Sequence, residues 1–388
     1  MEEHHHTLWS NVLENPHQDE PRTAYAAWLE NNGQTLRAEF IRLQLDLAQC
    51  SPTDPRRPAW LAREQELLVH HADAWRPAPV PGAAWGGFRR GFVEEVIFDH
   101  WMPFEAHQAG VWSVAPVTVL RLYLEMVEGE QLNRLAQNPA LARLNGLQVW
   151  GGGLNDDLLP ILVDSPHLSQ LEMLDLSEND LGPQAADCLV HFQCLENLEI
   201  LDLADNQLEA SGVEVLATAA HWPKLRSLSL AANYLGAAGA TELAHPGLWQ
   251  QLVELDLSEN KLRDAGVLAL SRAKVAPQIQ QLQLASNNIS SHGVRALLNT
   301  DWAKNLVSLN LSLNSIRDDG VQAFLKLPVA ENLRSLQLRG CQITSRGATM
   351  LQLAPFFPHL QLLDLRNNAL DLRTQEMLQD TLGQRVWL

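Results

Sequence analysis

The sequence predicts an α/β fold in which ten strand-helix units stack into a solenoid, behind a small helical N-terminal domain. Two observations lead to this prediction. A block of eleven residues that begins at Leu171 recurs at a fixed spacing of 27 residues toward the end of the chain. The first 76 residues have a different composition, with tryptophans set among charged residues at helical spacing. A fixed period of this length is typical of architectures in which each unit packs only against its neighbours.

Every copy of the eleven-residue block has the same apolar positions. Positions 1, 4, 6 and 11 hold only Leu, Val or Ile in all ten copies, if the two weaker copies that begin at Val117 and Leu144 are included. Positions 4 and 6 alternate as one face of a short strand, and the second half of each unit has the spacing of a helix. One unit is therefore predicted to be strand, bend, helix and return, with a parallel sheet on the concave side and helices on the outside.

Position 9 is the most distinctive polar position. It is Asn in seven of the eight copies from Leu171 onward, Cys341 in the other, and Gly152 and Glu125 in the two weaker copies. This pattern resembles the leucine-rich repeat family, and the 27-residue helical unit is similar to its ribonuclease-inhibitor-like subclass. The resemblance covers about 270 of the 388 residues. It implies a solenoid in which the position-9 Asn bonds backbone groups of the bend.

The N-terminal helices have recognisable ends. Asp19 is predicted to begin a helix and Gly33 to end it, because acidic residues favour a first turn and Gly a C-terminal cap. The next helix, over residues 35–50, places an apolar row on one face: Leu36, Phe40, Leu43 and Leu47. We therefore predict a helical domain over residues 1–76.

Both ends of the array need covers, since an open end would expose the core. Residues 91–96 are predicted to form a strand that covers the first repeat, and residues 383–388 begin one more strand that serves as the second cap. The predicted divisions are a linker with the cap strand over 77–116 and the solenoid with its C-terminal cap over 117–388.

The string from Asp19 to Glu30, together with residues 37–44, is similar to a bacterial repeat-companion domain that precedes leucine-rich repeats. Ala27 stands where that family usually has Asp. The resemblance implies a bacterial, cytosolic, repeat-bearing protein and no assigned chemistry.

Composition excludes several classes of function. A net charge of -18 argues against nucleic acid as a partner, because phosphate binding needs a basic surface. The chain has neither an apolar run long enough to span a bilayer nor a signal peptide at its N-terminus, so we expect no membrane partner and a cytoplasmic location. The four cysteines lack CxxC spacing and are predicted to be reduced thiols.

No motif for catalysis is present in the sequence. Gly151–Gly153 lacks the Lys and Ser or Thr of a phosphate loop, and no nucleophile motif occurs. The cluster His4–His6 stands at a terminus that is expected to offer no fixed geometry for a metal. We therefore expect no enzymatic activity, no cofactor and no metal.

The uncovered face of the sheet is the candidate binding surface. Strand positions 3, 5, 7 and 8 are predicted to face open space over roughly 45 Å, since strands lie ~4.8 Å apart, which suits a protein partner. Residues 171–224 hold eleven acids and one base. Charges beside aromatic anchors are typical of interfaces. The predicted contact residues are Tyr123, Trp150, Asp175, Glu178, Asp202, Asp205, Tyr234, Asp256, Glu259, Arg339 and Arg366.

The favoured hypothesis is a non-enzymatic scaffold that binds a basic or mixed-charge protein on this face. A regulator of a small GTPase is a second hypothesis, because the ribonuclease-inhibitor-like subclass includes GTPase activators. A substrate-recognition subunit for a separately encoded enzyme is a third. Because Asp175, Asp202 and Asp205 are predicted to point away from the core, reversing their charge is not expected to lower stability.

Overall fold

The computed structural model describes residues 2–51, 54–192, 196–219, 222–244, 251–272, 278–325 and 332–388. The chain divides into two compact units. The N-terminal unit comprises residues 1–127 and 137–150, and the repeat unit comprises residues 128–136 and 151–388.

The described part of the N-terminal unit contains five α-helices, one 3-10 helix (Pro139–Arg143) and six short strands. The helices are α1 (Glu2–Glu14), α2 (Asp19–Asn31), α3 (Thr35–Gln49), α4 (Arg57–Trp75) and α5 (Trp101–Val114). The strands are β1 (Ala83–Trp85), β2 (Phe88–Arg89), β3 (Phe92–Val93), β4 (Glu95–Phe98), β5 (Val119–Tyr123) and β6 (Gly146–Trp150).

The described part of the repeat unit contains ten α-helices and nine strands, besides short 3-10 helices. The helices are α6 (Gly129–Ala136), α7 (Leu159–Val163), α8 (Gln184–Val190), α9 (Glu209–Ala219), α10 (Gly236–Leu243), α11 (Arg263–Arg272), α12 (Ser291–Leu298), α13 (Arg317–Leu325), α14 (Ser345–Leu351) and α15 (Leu372–Leu382). The strands are β7 (Met173–Asp175), β8 (Ile200–Asp202), β9 (Ser227–Ser229), β10 (Glu254–Asp256), β11 (Gln281–Gln283), β12 (Ser308–Asn310), β13 (Ser335–Gln337), β14 (Leu362–Asp364) and β15 (Val386–Trp387).

The observed N-terminal helices agree closely with those predicted from the sequence. Helix α2 begins at Asp19 and ends before Gly33, whose φ of +83° is a conformation that favours glycine. Phe40, Leu43 and Leu47 are buried together with Leu67 of α4, as their spacing predicts. Leu36 differs from the prediction. It lies in the first turn of α3, outside the buried cluster, and is 41% exposed.

The segment after α4 packs against these helices. Phe92 of β3 belongs to a buried cluster with Ala26 and Ile41, and Phe88 of β2 packs on the cluster around Phe40. Gly91 lies between the two strands at φ +91°, and a Cβ atom there would come within 2.7 Å of Ile41. The predicted boundaries at residues 76 and 116 stay predictions, and these contacts join residues 88–93 to the helical core.

The strand predicted over residues 91–96 is two short strands, β3 and β4, with Glu94 between them. The two strands have different partners, since β3 pairs with β2 in a separate sheet, and between them the Glu94 carboxylate is buried against Arg22 while its carbonyl accepts hydrogen bonds from the Thr118 and Val119 N–H groups. Strand β4 pairs in parallel with β5, and β1 adds to its other edge in the antiparallel direction. These two strands extend the sheet beyond the first repeat.

Strands β7 to β15 of the repeat unit form one parallel sheet in chain order. From β7 to β14, adjacent strands are in register 27 residues apart, so that Leu174 lies beside Leu201 and Leu282 beside Leu309, whereas Leu363 of β14 lies beside Val386 of β15. A helix follows each strand from β7 to β14, and β15 supplies the predicted final strand at residues 383–388. This arrangement confirms the predicted α/β leucine-rich-repeat solenoid.

The four apolar positions of each repeat form the core. All of these side chains are buried except Leu370, which is half-buried in the last unit. The position-9 side chains form a second, polar line through the repeat unit. In a typical case, Asn260 Nδ2 donates to the carbonyls of Leu230 and Leu257, while its Oδ1 accepts from Leu235 N–H. Each such amide therefore ties one bend to the unit before it.

Candidate protein-binding face of the sheet

Residues alternate across the short strands of the repeat unit. In β7, for example, Leu174 is buried while Met173 and Asp175 on either side are half-buried. Side chains of a strand point alternately to its two faces, so positions 3 and 5 share the face opposite the buried leucines. We call this surface, with positions 7 and 8 that continue it, the open face.

The acids at position 5 accept hydrogen bonds from the backbone. Asp175 Oδ1 accepts from Ser177 N–H at 2.9 Å, Asp202 Oδ1 from Ala204 N–H at 2.9 Å, and Asp256 Oδ1 from Ser258 N–H at 2.8 Å. Each carboxylate thus satisfies a backbone donor where the strand ends. These bonds argue against the expectation that reversing Asp175 and Asp202 leaves stability unchanged, because a Lys side chain offers no acceptor.

The acids at position 8 are different. Glu178, Asp205 and Glu259 are exposed, and among the described residues none of their carboxylates accepts a hydrogen bond. Their backbone is left-handed, with φ between 54° and 61°. Their N–H groups still donate to the neighbouring unit, as Glu178 N–H does to the Ala204 carbonyl at 2.9 Å. The backbone is therefore held in place while the carboxylates stay available.

The acids of neighbouring strands act on one another electrostatically. Burial raises the pKa of Asp202, and the negative charges of Asp175 and Asp256 raise it further, against the Ala204 N–H and Ser229 hydroxyl bonds that lower it. The charged form of Asp202 is consequently less favourable in the folded protein than in the unfolded chain.

This pKa shift predicts that Asp202→Asn raises the stability of the protein by an amount that depends on pH. Asn keeps the backbone acceptor, as Asn310 does at the same position by accepting from Ser312 N–H at 2.9 Å. We expect a higher melting temperature at pH 7. The gain should shrink as the pH falls through the raised pKa toward the ordinary value of 3.8, because the parent carboxyl then becomes neutral in the folded state. Thermal melts across this range measure it. A gain that is equal at every pH would contradict the electrostatic cause, and Asp202→Ala, which loses the acceptor, should melt lower than Asp202→Asn.

Two predicted aromatic residues lie together in the N-terminal unit. Tyr123 of β5 and Trp150 of β6 are register partners, and their ring centroids are 5.8 Å apart in an edge-to-face arrangement. His100 extends the group, with its ring 6.3 Å from that of Tyr123. All three rings lie within one unit of the chain and form one aromatic group, and the partner-binding role predicted for Tyr123 and Trp150 stays a prediction.

The other three predicted residues have different surroundings. Tyr234 lies in the bend after β9 rather than on a strand, is exposed, and has the Lys261 ammonium 5.6 Å from its ring. Arg366 is bonded to Asp364 at 2.6 Å and lies over the Trp387 ring. Arg339 is exposed and faces the side-chain amide of Asn367, whose oxygen lies 3.1 Å from Arg339 Nε when the amide is turned so that its oxygen faces the guanidinium. Arg366 is thus tied to the C-terminal strand, whereas Arg339 is more available.

Apolar residues of the open face were missed from the sequence. Ile200 at position 3 of β8 is 43% exposed, beside half-buried Met173 of β7. Leu313 at position 8 is also exposed. The alternation of side chains along a strand could have identified Ile200, since position 3 shares a face with position 5.

The described residues hold no group of three or more His, Cys, Asp and Glu side chains that could bind a metal. His5 and His6 lie in helix α1 rather than in an irregular terminus, and His5 bonds the Tyr25 hydroxyl at 3.0 Å.

Cys50, Cys188 and Cys341 are free thiols, and burial raises the pKa of Cys341 to about 12. Cys194 lies outside the described residues. Among the helices described, none has the length and apolar composition needed to cross a membrane.

Comparison with known proteins supports the repeat assignment. A family model described as "Leucine Rich repeat" matches residues 194–217, 250–271, 303–325 and 329–351, so the chain contains leucine-rich repeats. No curated protein matches the sequence.

Two of the solved structures that resemble this chain are distant in sequence. The yeast Rad7 and Elc1 complex includes a chain with 15% identity, over 92% of this chain and 88% of that one, at a TM-score of 0.46. A protein from Bacteroides fragilis has 13% identity, over 66% of this chain and 69% of that one, at a TM-score of 0.43. Neither likeness bears on what this chain does.

Proposed function

We propose that this chain is a non-enzymatic scaffold that binds a basic or mixed-charge protein on the open face, centred on β7 and β8. The observation that carries the proposal is a set of acids that lack ion-pair partners among the described residues, next to exposed Ile200. These acids are Asp175, Glu178, Asp202, Asp205, Asp256 and Glu259.

The exposed acids at position 8 and the apolar residues at position 3 have different roles in this proposal. The carboxylates at position 8 attract and orient a basic partner, because fields of neighbouring exposed charges add over distances of about 10 Å. Charge complementarity contributes mainly to the association rate and to partner choice. Ile200 and Met173 supply apolar area at the centre of the same patch, where burial adds affinity. Tyr123 and Trp150 form a second proposed contact, in the N-terminal unit.

We also propose the finer assignments that the sequence favours. The repeats belong to the ribonuclease-inhibitor-like subclass, which is supported by a helix after every strand from β7 to β14. The helices of residues 1–76 form a bacterial repeat-companion domain, and the protein is cytoplasmic.

Neutralising the position-8 acids tests the proposed surface. The variant Glu178→Gln, Asp205→Asn, Glu259→Gln removes three charges without removing any hydrogen bond that the described residues make to these side chains. We expect association with a partner captured from the source organism to slow about tenfold at low salt, and by less than about twofold at 0.5 M salt. Biolayer interferometry over a salt series measures both rates.

A matched control removes the same number of negative charges from the helices instead of the open face. Glu214→Gln, Asp319→Asn and Glu376→Gln remove three carboxylates from exposed positions on helices α9, α13 and α15. This control should associate like the parent at every salt concentration. If both triple variants slow equally, net charge alone is responsible. If neither slows, the acids of the open face do not guide the partner.

A further inference from the structure

A cavity in the N-terminal unit has an unusual lining. It has a volume of about 240 Å³ and lies among α1, α2, α3 and the segment that follows α4. Aromatic side chains form much of its wall, including Trp9, Tyr25, Trp75 and Phe92. Two arginines, Arg37 and Arg76, also line it, and none of its described lining residues is Asp or Glu. A cationic cavity without a carboxylate stands out in a chain of net charge -18.

Arg37 is the central residue of this cavity. Only 9% of it is exposed, and its guanidinium makes no hydrogen bond or ion pair with any described residue. Its Nη1 is a buried donor without a partner. Burial lowers the pKa of Arg37 to about 10, so the group remains charged at neutral pH. A buried charge is costly unless it is paired.

The surrounding rings satisfy only part of this group. The guanidinium carbon lies 5.1 Å from the centroids of Trp75 and Phe92, and 5.5 Å from that of Phe40. Aromatic rings interact with the faces of a guanidinium, whereas its N–H donors point outward in its plane. The Arg76 guanidinium is already engaged, since its Nη1 donates to the carbonyls of Trp85 and Gly86. Arg37 therefore lacks an acceptor for its in-plane donors.

We propose that this cavity binds a small organic carboxylate whose apolar or aromatic body lies against the tryptophan and tyrosine rings. A carboxylate matches the planar donor edge of one guanidinium and balances a single buried positive charge. A phosphate dianion would require more donors than this largely aromatic wall offers. The site is separate from the open face and belongs to the part of the chain for which the sequence predicts no chemistry.

The test uses the full-length protein and three probes of similar size or charge. Benzoate carries both the carboxylate and a ring, benzamide carries the ring without the charge, and inorganic phosphate carries charge without the ring. By isothermal titration we expect saturable binding of benzoate at concentrations on the order of 1–10 mM, and at least about tenfold weaker binding of benzamide and phosphate. No benzoate binding, or equal binding of benzamide or of phosphate, would overturn the proposal.

Two variants locate the site. Arg37→Met keeps an unbranched apolar side chain without the guanidinium and should weaken benzoate binding by at least about tenfold, because it removes a charge-assisted pair. Gln34→Glu changes an exposed residue of the cavity wall and should weaken benzoate similarly by repulsion, without loss of a buried group. The second variant decides the question if Arg37→Met does not fold. Arg42→Met, on the same helix and outside the cavity wall, should bind benzoate like the parent. Undiminished binding by Gln34→Glu or by folded Arg37→Met would place the ligand elsewhere.

Discussion

Replacing Glu94 by Gln should destabilise the N-terminal unit by about 3–5 kcal/mol, the usual cost of leaving one member of a buried ion pair alone. The Glu94 carboxylate lies 2.7 Å from Arg22, and the two side chains are 4% and 0% exposed. Arg90 also contacts this carboxylate, at 3.0 Å. Gln preserves the shape of the side chain but removes the charge that Arg22 needs. Urea denaturation followed by near-UV circular dichroism measures the loss.

An exposed pair that joins helices α2 and α3 of the same unit provides the control. Arg42 and Glu30 are 2.6 Å apart, but their side chains are 39% and 52% exposed. Glu30→Gln should lower stability far less than Glu94→Gln, because solvent screens an exposed pair. The double variant Arg22→Met, Glu94→Leu should be less destabilised than Glu94→Gln, because it leaves no unpaired buried charge. If Glu94→Gln costs no more than Glu30→Gln, Arg22 does not depend on this carboxylate.

Replacing Asn233 by Ala should destabilise the repeat unit by about 3 kcal/mol, since unsatisfied buried polar groups cost ~1–3 kcal/mol each. Its Nδ2 donates to the carbonyls of Leu203 at 2.7 Å and Ala231 at 2.9 Å. Its Oδ1 accepts from Leu208 N–H at 3.2 Å. The residue is fully buried, so no water readily replaces these bonds. Thermal and urea unfolding of the full chain measure the change.

The opposite substitution at position 341 provides the comparison. Cys341 Sγ reaches the Leu311 carbonyl at 3.2 Å but is a weak partner for the bend. Cys341→Asn should therefore stabilise the protein by about 1 kcal/mol, a typical net value for a hydrogen bond. An unchanged stability for Asn233→Ala, or a loss for Cys341→Asn, would mean that the position-9 side chains do not hold adjacent bends together.

The fold was predictable because its core repeats. Each apolar residue at positions 4 and 6 reports the same local environment, so Leu174 and Leu282 reinforce one assignment although they are 108 residues apart, which is four periods of 27. The ends of α2 were predictable for another reason, since Asp19 and Gly33 act through local backbone chemistry. Local and periodic interactions are thus visible in a single sequence.

Contacts without a period were not predictable. Arg22 and Glu94 are 72 positions apart, and charged residues are normally exposed, so nothing in the sequence indicates that they pair in the core. The same holds for Arg37 among its rings. The structural role of Asp175, which accepts a backbone hydrogen bond as well as carrying charge on the open face, was predictable in principle. Position 5 is Asp or Asn in five of the eight units from Leu171 onward, a preference typical of side chains that bond the backbone two residues on.

Site-specific crosslinking tests the central claim, that a protein partner binds the open face, most directly. A photoreactive amino acid is introduced in place of Ile200 on the open face or of Leu268 on helix α11, two apolar residues that are 43% and 40% exposed. Each variant is expressed in the source organism and irradiated. We predict a discrete crosslinked protein from position 200, lost when Glu178, Asp205 and Glu259 are neutralised, and none from position 268. A crosslink from position 268 alone would contradict the account and place the partner on the helices.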